Sequence, residues 1–247
     1  MDAYPITRLM TQANVQESNI SVLYVEDDAS LSMVTADALK RRGYKVIHCR
    51  NGVEAIDCFL KGNVQVCLID VLLPDIDGHT LSRVIRSNDA GVPIIFLSGK
   101  SEEADRLEGY KAGGDDFVHK PYSIEEIIYK IEVYSKRTAG NANLNNRADA
   151  TTIGSIRLDA ENLLLICGDH AAKITLKEAD LLGFMMRHKN KLLKRNEILF
   201  AVWGKQDDKT SRSLDVFISR LRKYLQVDRY VRLESHKGVG YKLSELN

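Results

Sequence analysis

The sequence predicts two domains: a doubly wound α/β domain on a five-stranded parallel sheet, then a smaller α+β domain. Three observations carry that expectation. The chain has 247 residues, more than the roughly 150 of one ordinary domain. Short apolar runs alternate with helical patterns from Ile20 to Arg137 and then give way to a different pattern. Charge divides the same way: residues 1–151 carry a net charge of −5 and residues 152–247 one of +6. The total of +1 therefore conceals an acidic segment followed by a basic one, and only the second suits a polyanion.

Composition narrows the class. Hydrophobic content of 44% and charged content of 28% exclude a disordered, collagen-like or membrane-embedded chain. No apolar run approaches the roughly 20 residues of a membrane span. Residues 1–19 lack the apolar core of a signal peptide and read as a short extension. The four cysteines, at 49, 58, 67 and 167, form no CxxC pair and read as thiols in a reducing cytoplasm.

The elements follow in order. Strands are expected at 20–25, 44–48, 64–69, 93–97 and 116–119, each short, apolar and rich in β-branched residues. Amphipathic stretches near 29–42, 52–60, 78–87, 102–112 and 123–137 lie between them, and Gly43 follows the first as a C-terminal cap would. This rhythm predicts helices on both faces of a parallel sheet over residues 20–137. Residues 138–152 hold four Asn and little that packs; as a flexible linker of about 15 residues they span roughly 20 Å. In residues 153–247, short strands fill 153–174. Thr175–Leu176–Lys177–Glu178 is a capping box opening a helix to about His188. Further helices fit 194–203 and 211–225, and His236–Lys237–Gly238–Val239–Gly240–Tyr241 reads as a hairpin turn. Three helices followed by a hairpin form a winged helix-turn-helix pattern.

The first domain concentrates chemistry at one edge of its sheet. Strand 20–25 ends in Glu26, Asp27 and Asp28, and strand 64–69 ends in Asp70. Strand 93–97 ends at Ser98 and strand 116–119 at Lys120. The carboxyl ends of parallel strands share one crevice. Converging carboxylates call for a cation, and oxygen ligands point to Mg²⁺. Acids, a hydroxyl and an ammonium together suit phosphoryl chemistry. Asp28, just before a helix, reads as an N-cap rather than a ligand; His79 and His119 read as ordinary surface histidines.

These pieces resemble a response-regulator receiver domain, a flavodoxin-like fold, over about 118 residues. The matching strings are Val25–Glu26–Asp27–Asp28, Leu68–Ile69–Asp70–Val71–Leu72–Leu73–Pro74 with Asp77–Gly78, Leu97–Ser98–Gly99, Ala112–Gly113–Gly114–Asp115–Asp116–Phe117, and Lys120–Pro121. The resemblance implies that Asp70 is the phosphoacceptor. It implies that Glu26, Asp27, Asp70 and the backbone carbonyl of Leu72 hold Mg²⁺, and that Lys120 contacts the phosphoryl group. Ser98 and Phe117 become the coupled switch pair, and the Lys120–Pro121 bond is cis. The departures are Ser98 where Thr is commoner, Gly99 for Ala, and Phe117 for Tyr, which removes a phenolic hydroxyl.

The second domain carries a basic helix. On a helical projection of 211–225, Leu214, Ile218, Leu221 and Leu225 form a narrow apolar stripe. Arg212, Val216, Ser219, Arg220 and Lys223 lie opposite, with Arg222 at the flank. A basic face backed by an apolar stripe suits the major groove, and glycines 238 and 240 let a wing approach phosphates. Val202–Trp203–Gly204, Arg212–Ser213–Leu214–Asp215–Val216, Arg220–Leu221–Arg222–Lys223 and Lys237–Gly238–Val239–Gly240–Tyr241 resemble the OmpR/PhoB winged-helix output domain, over about 95 residues. The resemblance implies groove contacts from Arg220 and Arg222, a phosphate contact from Arg212 and wing contacts from Ser235 and Lys237. Phe217 and Ser219 stand where relatives have polar or basic residues, and Phe217 could touch a thymine methyl. The 204–210 loop would face RNA polymerase, while Trp203 reads as core. Receiver dimerisation would use Arg106, Asp115, Asp116, Glu126 and Lys130, the last replacing Arg and losing its bidentate geometry.

Together these readings describe a cytoplasmic transcription factor that a sensor histidine kinase phosphorylates on Asp70. Phosphorylation would favour a homodimer on double-stranded promoter DNA. The receiver would catalyse only its own phosphorylation and dephosphorylation, so the protein is not expected to be a metabolic enzyme. Two other classes share parts of the pattern: a phosphorylation-independent DNA binder with a vestigial receiver, and a phosphotransferase or phosphatase with an Asp nucleophile. The second needs another acid two residues beyond Asp70, where Leu72 stands.

Overall fold

The structure is a computed structural model that describes residues 20–99, 103–138, 152–204 and 208–246. The linker expected at 138–152 and the extension at 1–19 therefore fall, but for residues 138 and 152, outside the described residues. The N-terminal domain runs β1 (Ser21–Val25), α1 (Ala29–Arg41), β2 (Lys45–Cys49), α2 (Gly52–Leu60), β3 (Val66–Asp70), α3 (Gly78–Asn88), β4 (Ile94–Ser98), α4 (Glu103–Ala112), β5 (Asp116–His119) and α5 (Ile124–Thr138). All five strands are parallel, in the order β2-β1-β3-β4-β5. The residues of β1, β3 and β4 are all buried, as strands covered on both faces must be. Ala36 and Leu39 of α1 pack with Ile127, Ile128 and Ile131 of α5 in one layer. Ala55 of α2 packs with Leu81 and Ile85 of α3 in the other. Burying each large side chain contributes roughly 1.5–3 kcal/mol.

Short polar side chains start the helices. Asp28 accepts from Leu31 N at 2.8 Å, Asn51 from Glu54 N at 2.9 Å and Asp77 from Thr80 N at 2.9 Å. Such caps are typically worth about 1 kcal/mol each. Asp28 thus caps α1, the role its position suggested.

The C-terminal domain begins with β6 (Thr152–Ile153), β7 (Ile156–Asp159), β8 (Leu164–Cys167) and β9 (His170–Lys173) in one antiparallel sheet. Next come α6 (Leu176–Arg187), β10 (Leu192–Lys194), α7 (Arg195–Trp203), α8 (Asp208–Leu225), β11 (Val231–His236) and β12 (Gly240–Glu245). The capping box of α6 is complete: Thr175 N donates to Glu178 Oε2 at 2.8 Å, and Glu178 N to Thr175 Oγ1 at 3.3 Å. Two features depart from the sequence pattern. Helix α8 starts at Asp208, inside the segment expected as a loop over 204–210. Strand β10, too short to show a period, adds to β12 and makes a three-stranded wing sheet. A Cβ on Gly240 would lie 1.8 Å from Leu193 O, so only glycine lets those strands close.

His79 is a correction. It was expected at the surface, but α3 buries it against the edge of Phe96, with ring centroids 5.1 Å apart. Its Nε2 has no hydrogen-bond partner among the described residues, and burial holds its pKa below the usual value. Unfolded chain gains a proton near pH 6.5 that the folded state resists. Stability is therefore complete above that pH and falls as pH drops through it, by up to about 1.4 kcal/mol per pH unit. Urea titrations of wild type and His79→Gln should diverge between pH 7.5 and 5.5, with wild type losing more on acidification. Parallel curves would contradict this origin.

Candidate phosphoacceptor pocket and nucleic-acid interface

Strands β1 and β3 are neighbours at the point where the strand order reverses, which is where open α/β sheets bind ligands. Glu26 and Asp27 follow β1 there, and Asp70 ends β3. Each places a carboxylate oxygen within 4.8 Å of the other two. Glu26 and Asp70 are buried and Asp27 is exposed. From the end of β5, Lys120 Nζ reaches Glu26 Oε2 at 2.5 Å and Asp70 Oδ2 at 2.7 Å. Its backbone is fixed by Lys120 N donating to Ser98 O at 2.8 Å, and the Lys120–Pro121 bond is cis. Leu72 N donates to Asp70 Oδ1 at 3.0 Å, so the backbone of Leu72 borders the same pocket. A Cβ on Gly78 would lie 2.2 Å from Asp70 O; glycine there lets α3 begin directly against the end of β3.

The electrostatics follow from burial and crowding. Burial pushes the Glu26 carboxyl up; the Lys120 hydrogen bond opposes this, and the Asp70 charge adds to it, leaving it at about 7. Burial works to lower Lys120, but its hydrogen bonds to Asp70 and Glu26 outweigh that and hold it above its usual value. One ammonium among three carboxylates leaves negative charge over. The donor set is all oxygen, so it fits a hard divalent cation.

Ser98, buried at the end of β4, borders this pocket through the Lys120 N–H, and Phe117, half-buried, lies within the adjacent strand β5. The Phe117 ring packs on Phe96 at 5.1 Å and Tyr110 at 5.0 Å. The Arg106 guanidinium lies over it at 5.6 Å. Tyr110, near the end of α4, also packs edge-on against Phe217 of α8 at 5.7 Å. Aromatic contact thus runs from Phe117 of one domain into the basic helix of the other.

That helix is turned toward the first domain. Arg220 donates to Tyr110 O at 2.5 Å, Lys111 O at 3.0 Å and Glu178 Oε1 at 3.2 Å. Phe217 is fully buried between Tyr110 and Trp203. This departs from its expected exposure, since in this closed arrangement a side chain so enclosed meets no thymine methyl. Arg222 Nε donates to Leu233 O at 2.9 Å and its Nη2 to Ser235 Oγ at 2.6 Å. Those two residues therefore also fasten α8 to the wing. Ser219, Lys223 and Lys237 are exposed and Val216 is half-buried. The side chain of Arg212 and residues 205–207 lie outside the described residues. Trp203 packs against the core as expected.

The expected dimer residues divide too. Asp116 pairs internally with Lys130 at 2.5 Å, and Glu126 is exposed. Asp115 is corrected: it is buried, pairs with Arg86 at 2.6 Å and accepts from Ile94 N at 2.9 Å, so it is structural. Sequence reasoning missed Arg86, Tyr110, Lys177 and Glu178. Lys177 is buried with its ammonium 5.3 Å from the Tyr134 ring and 5.5 Å from that of Trp203. Only the capping box flagged Glu178; the others carry no local signal.

A carboxylate pocket at a receiver-type switch point, joined to a winged helix, defines a phosphoacceptor domain coupled to a DNA-reading one. Comparison with known proteins agrees. Residues 22–132 match the family model described as response regulator receiver domain. Residues 169–243 match that described as transcriptional regulatory protein, C terminal. Transcriptional regulatory protein RprY of Bacteroides fragilis is 36% identical over 227 residues, covering 92% of this chain and 95% of that one. Sensory transduction protein RegX3 of Mycolicibacterium smegmatis is 32% identical, covering 90% and 98%. A solved structure of a RitR mutant shares the fold at TM-score 0.71 and 23% identity, covering 92% of this chain and 99% of that one. The chain belongs to the two-component response regulators with an OmpR/PhoB-type winged-helix output domain. It is a DNA-binding transcriptional regulator. Among the described residues no helix is long and apolar enough to cross a membrane.

Proposed function

We propose that a sensor histidine kinase phosphorylates Asp70 in the cytoplasm and that this frees α8 to bind promoter DNA. The observation that carries the reading is the position of Arg220, whose guanidinium lies on the Tyr110 and Lys111 carbonyls at the C-terminal end of α4. Helix C-termini carry partial negative charge. Two neighbouring carbonyl oxygens offer the kind of paired acceptors that a guanine edge offers an arginine. In this arrangement the receiver occupies the donors that would read DNA.

Glu26, Asp27, Asp70 and the Leu72 carbonyl would hold Mg²⁺, which when bound supplies charge neutralisation at the phosphoryl group. The Asp70 carboxylate attacks the phosphorus of the kinase's phosphohistidine, the P–N bond breaks and the histidine leaves, while Lys120 neutralises a phosphoryl oxygen and Ser98 donates to another. Catalysis by the protein is limited to its own phosphorylation and dephosphorylation. Movement at Ser98 and Phe117 then disturbs Tyr110 and, through it, Phe217 and Arg220. Released receivers pair through the face that carries Arg106, Asp116, Glu126 and Lys130, and the segment ahead of α8 meets RNA polymerase. Two winged helices on one dimer bind half-sites about one helical turn apart.

The test is DNA affinity of the full chain with and without a small acyl phosphate donor and Mg²⁺, alongside sedimentation. Tighter binding accompanied by dimers is expected. Equal affinity in both states would favour the vestigial-receiver reading.

A further inference from the structure

We propose that the seam between the domains holds a binding site for a compact free polyphosphate, which fastens the two domains together. A cavity of about 470 Å³ opens between α3 and α4 on one side and β9, α6 and α8 on the other. That volume falls within the roughly 300–1,000 Å³ of small-ligand sites. Six of its lining residues are cationic, Arg83, Arg86, Lys111, Lys173, Arg220 and Lys223, and Glu178 is the sole acid among them.

Two of the six are already engaged. Arg86 pairs with Asp115 at 2.6 Å and Arg220 with Glu178 at 3.2 Å. Arg83 has one acidic partner among the described residues, Glu108 at 3.7 Å, with both side chains about half-exposed, and donates to Thr80 Oγ1 at 3.4 Å; such an exposed ion pair contributes little. Lys111, Lys173 and Lys223 are exposed and make no ion pair among the described residues. Four weakly compensated cations therefore border one cavity: Arg83 and Lys111 from the receiver, Lys173 and Lys223 from the winged-helix domain.

Like charges facing each other across a seam oppose its closure. An anion between them converts that repulsion into attraction from both sides. Near neutral pH one phosphate carries at most two charges; a chain of two or three units matches four cations better. Thr175, the N-cap of α6, also lines the cavity, but the Glu178 carboxylate already offsets that helix end, so the four side-chain cations carry the field. Lys223 belongs to the DNA-reading face, but Arg83 and Lys111 do not travel with it when the domains separate. The site thus exists only in the closed arrangement, and its ligand would oppose DNA binding.

The test titrates the full, unphosphorylated chain with inorganic tripolyphosphate in metal-free buffer at constant ionic strength. Calorimetry and the fluorescence of Trp203, the chain's single tryptophan, give the readouts; Trp203 packs on Phe217 and Lys177 at the seam. One site per chain is expected, with a fluorescence change and about tenfold weaker DNA binding at saturation. The double variant Arg83→Gln, Lys111→Gln should lose about tenfold or more in tripolyphosphate affinity. It should also lose the effect on DNA, while keeping the wild-type melting temperature. Unchanged tripolyphosphate affinity in that variant would assign the anion to the DNA-reading face and overturn the proposal, as would no binding to wild type. No phosphoryl donor is present, so either failure leaves the reading of Asp70 untouched.

Discussion

Asp70→Asn should abolish labelling by a small acyl phosphate, a loss of several orders of magnitude, while the protein still folds. The amide keeps the shape of the carboxylate but is no nucleophile at phosphorus. It can still sit beside Lys120 Nζ, which lies 2.7 Å from Asp70 Oδ2 and 2.5 Å from Glu26 Oε2. Burial is the main reason Glu26 is pushed up, and removing one of three crowded acids takes away the Asp70 charge that adds to it. Thermal stability should therefore hold or rise slightly while phosphotransfer disappears. Measured label per mole of protein, with melting temperature alongside, separates the two effects. Persistent acid-labile label in the variant would move the phosphoacceptor elsewhere.

Tyr110→Ala should raise the DNA affinity of the unphosphorylated chain by about tenfold. Tyr110 touches Phe117 at 5.0 Å and Phe217 at 5.7 Å, and its carbonyl accepts from Arg220. Aromatic pairs of this kind contribute roughly 0.5–1.5 kcal/mol beyond burial. If the binding-competent state is a minor fraction, apparent affinity rises in proportion to that fraction. A seam weakened by about 1.4 kcal/mol therefore gives the tenfold change. Truncating a buried aromatic also destabilises the receiver by a few kcal/mol, so binding is measured well below the melting transition. Unchanged affinity in a folded variant would show that α8 is accessible without separation of the domains.

The receiver was legible because its signals are local. Strands buried on both faces leave continuous apolar runs, and the pocket residues stand at consecutive strand ends, so reading the strands locates Glu26, Asp27, Asp70, Ser98 and Lys120 together. The seam was not legible. Arg220 meets backbone carbonyls of Tyr110 and Lys111, and a carbonyl has no sequence signature. Phe217 lies on a helix covered by its own domain on one side and by the receiver on the other; its expected DNA contact came from the family resemblance, which carries no sign of the receiver's cover. Asp115 and Asp116 are adjacent and chemically identical. Only the three-dimensional course of Arg86 and Lys130 makes one structural and leaves the other on the α5 side.

Arg220 has a further consequence. The guanidinium rests on α4 in the closed chain and, on the function proposed above, faces DNA once freed, so one codon would govern both target preference and leakiness. A lineage that changes Arg220 to recognise a new promoter also loosens its own resting state. Regulators with this arrangement should therefore diversify their targets through Val216, Ser219 and Lys223, and hold Arg220 constant even where the base it reads has drifted.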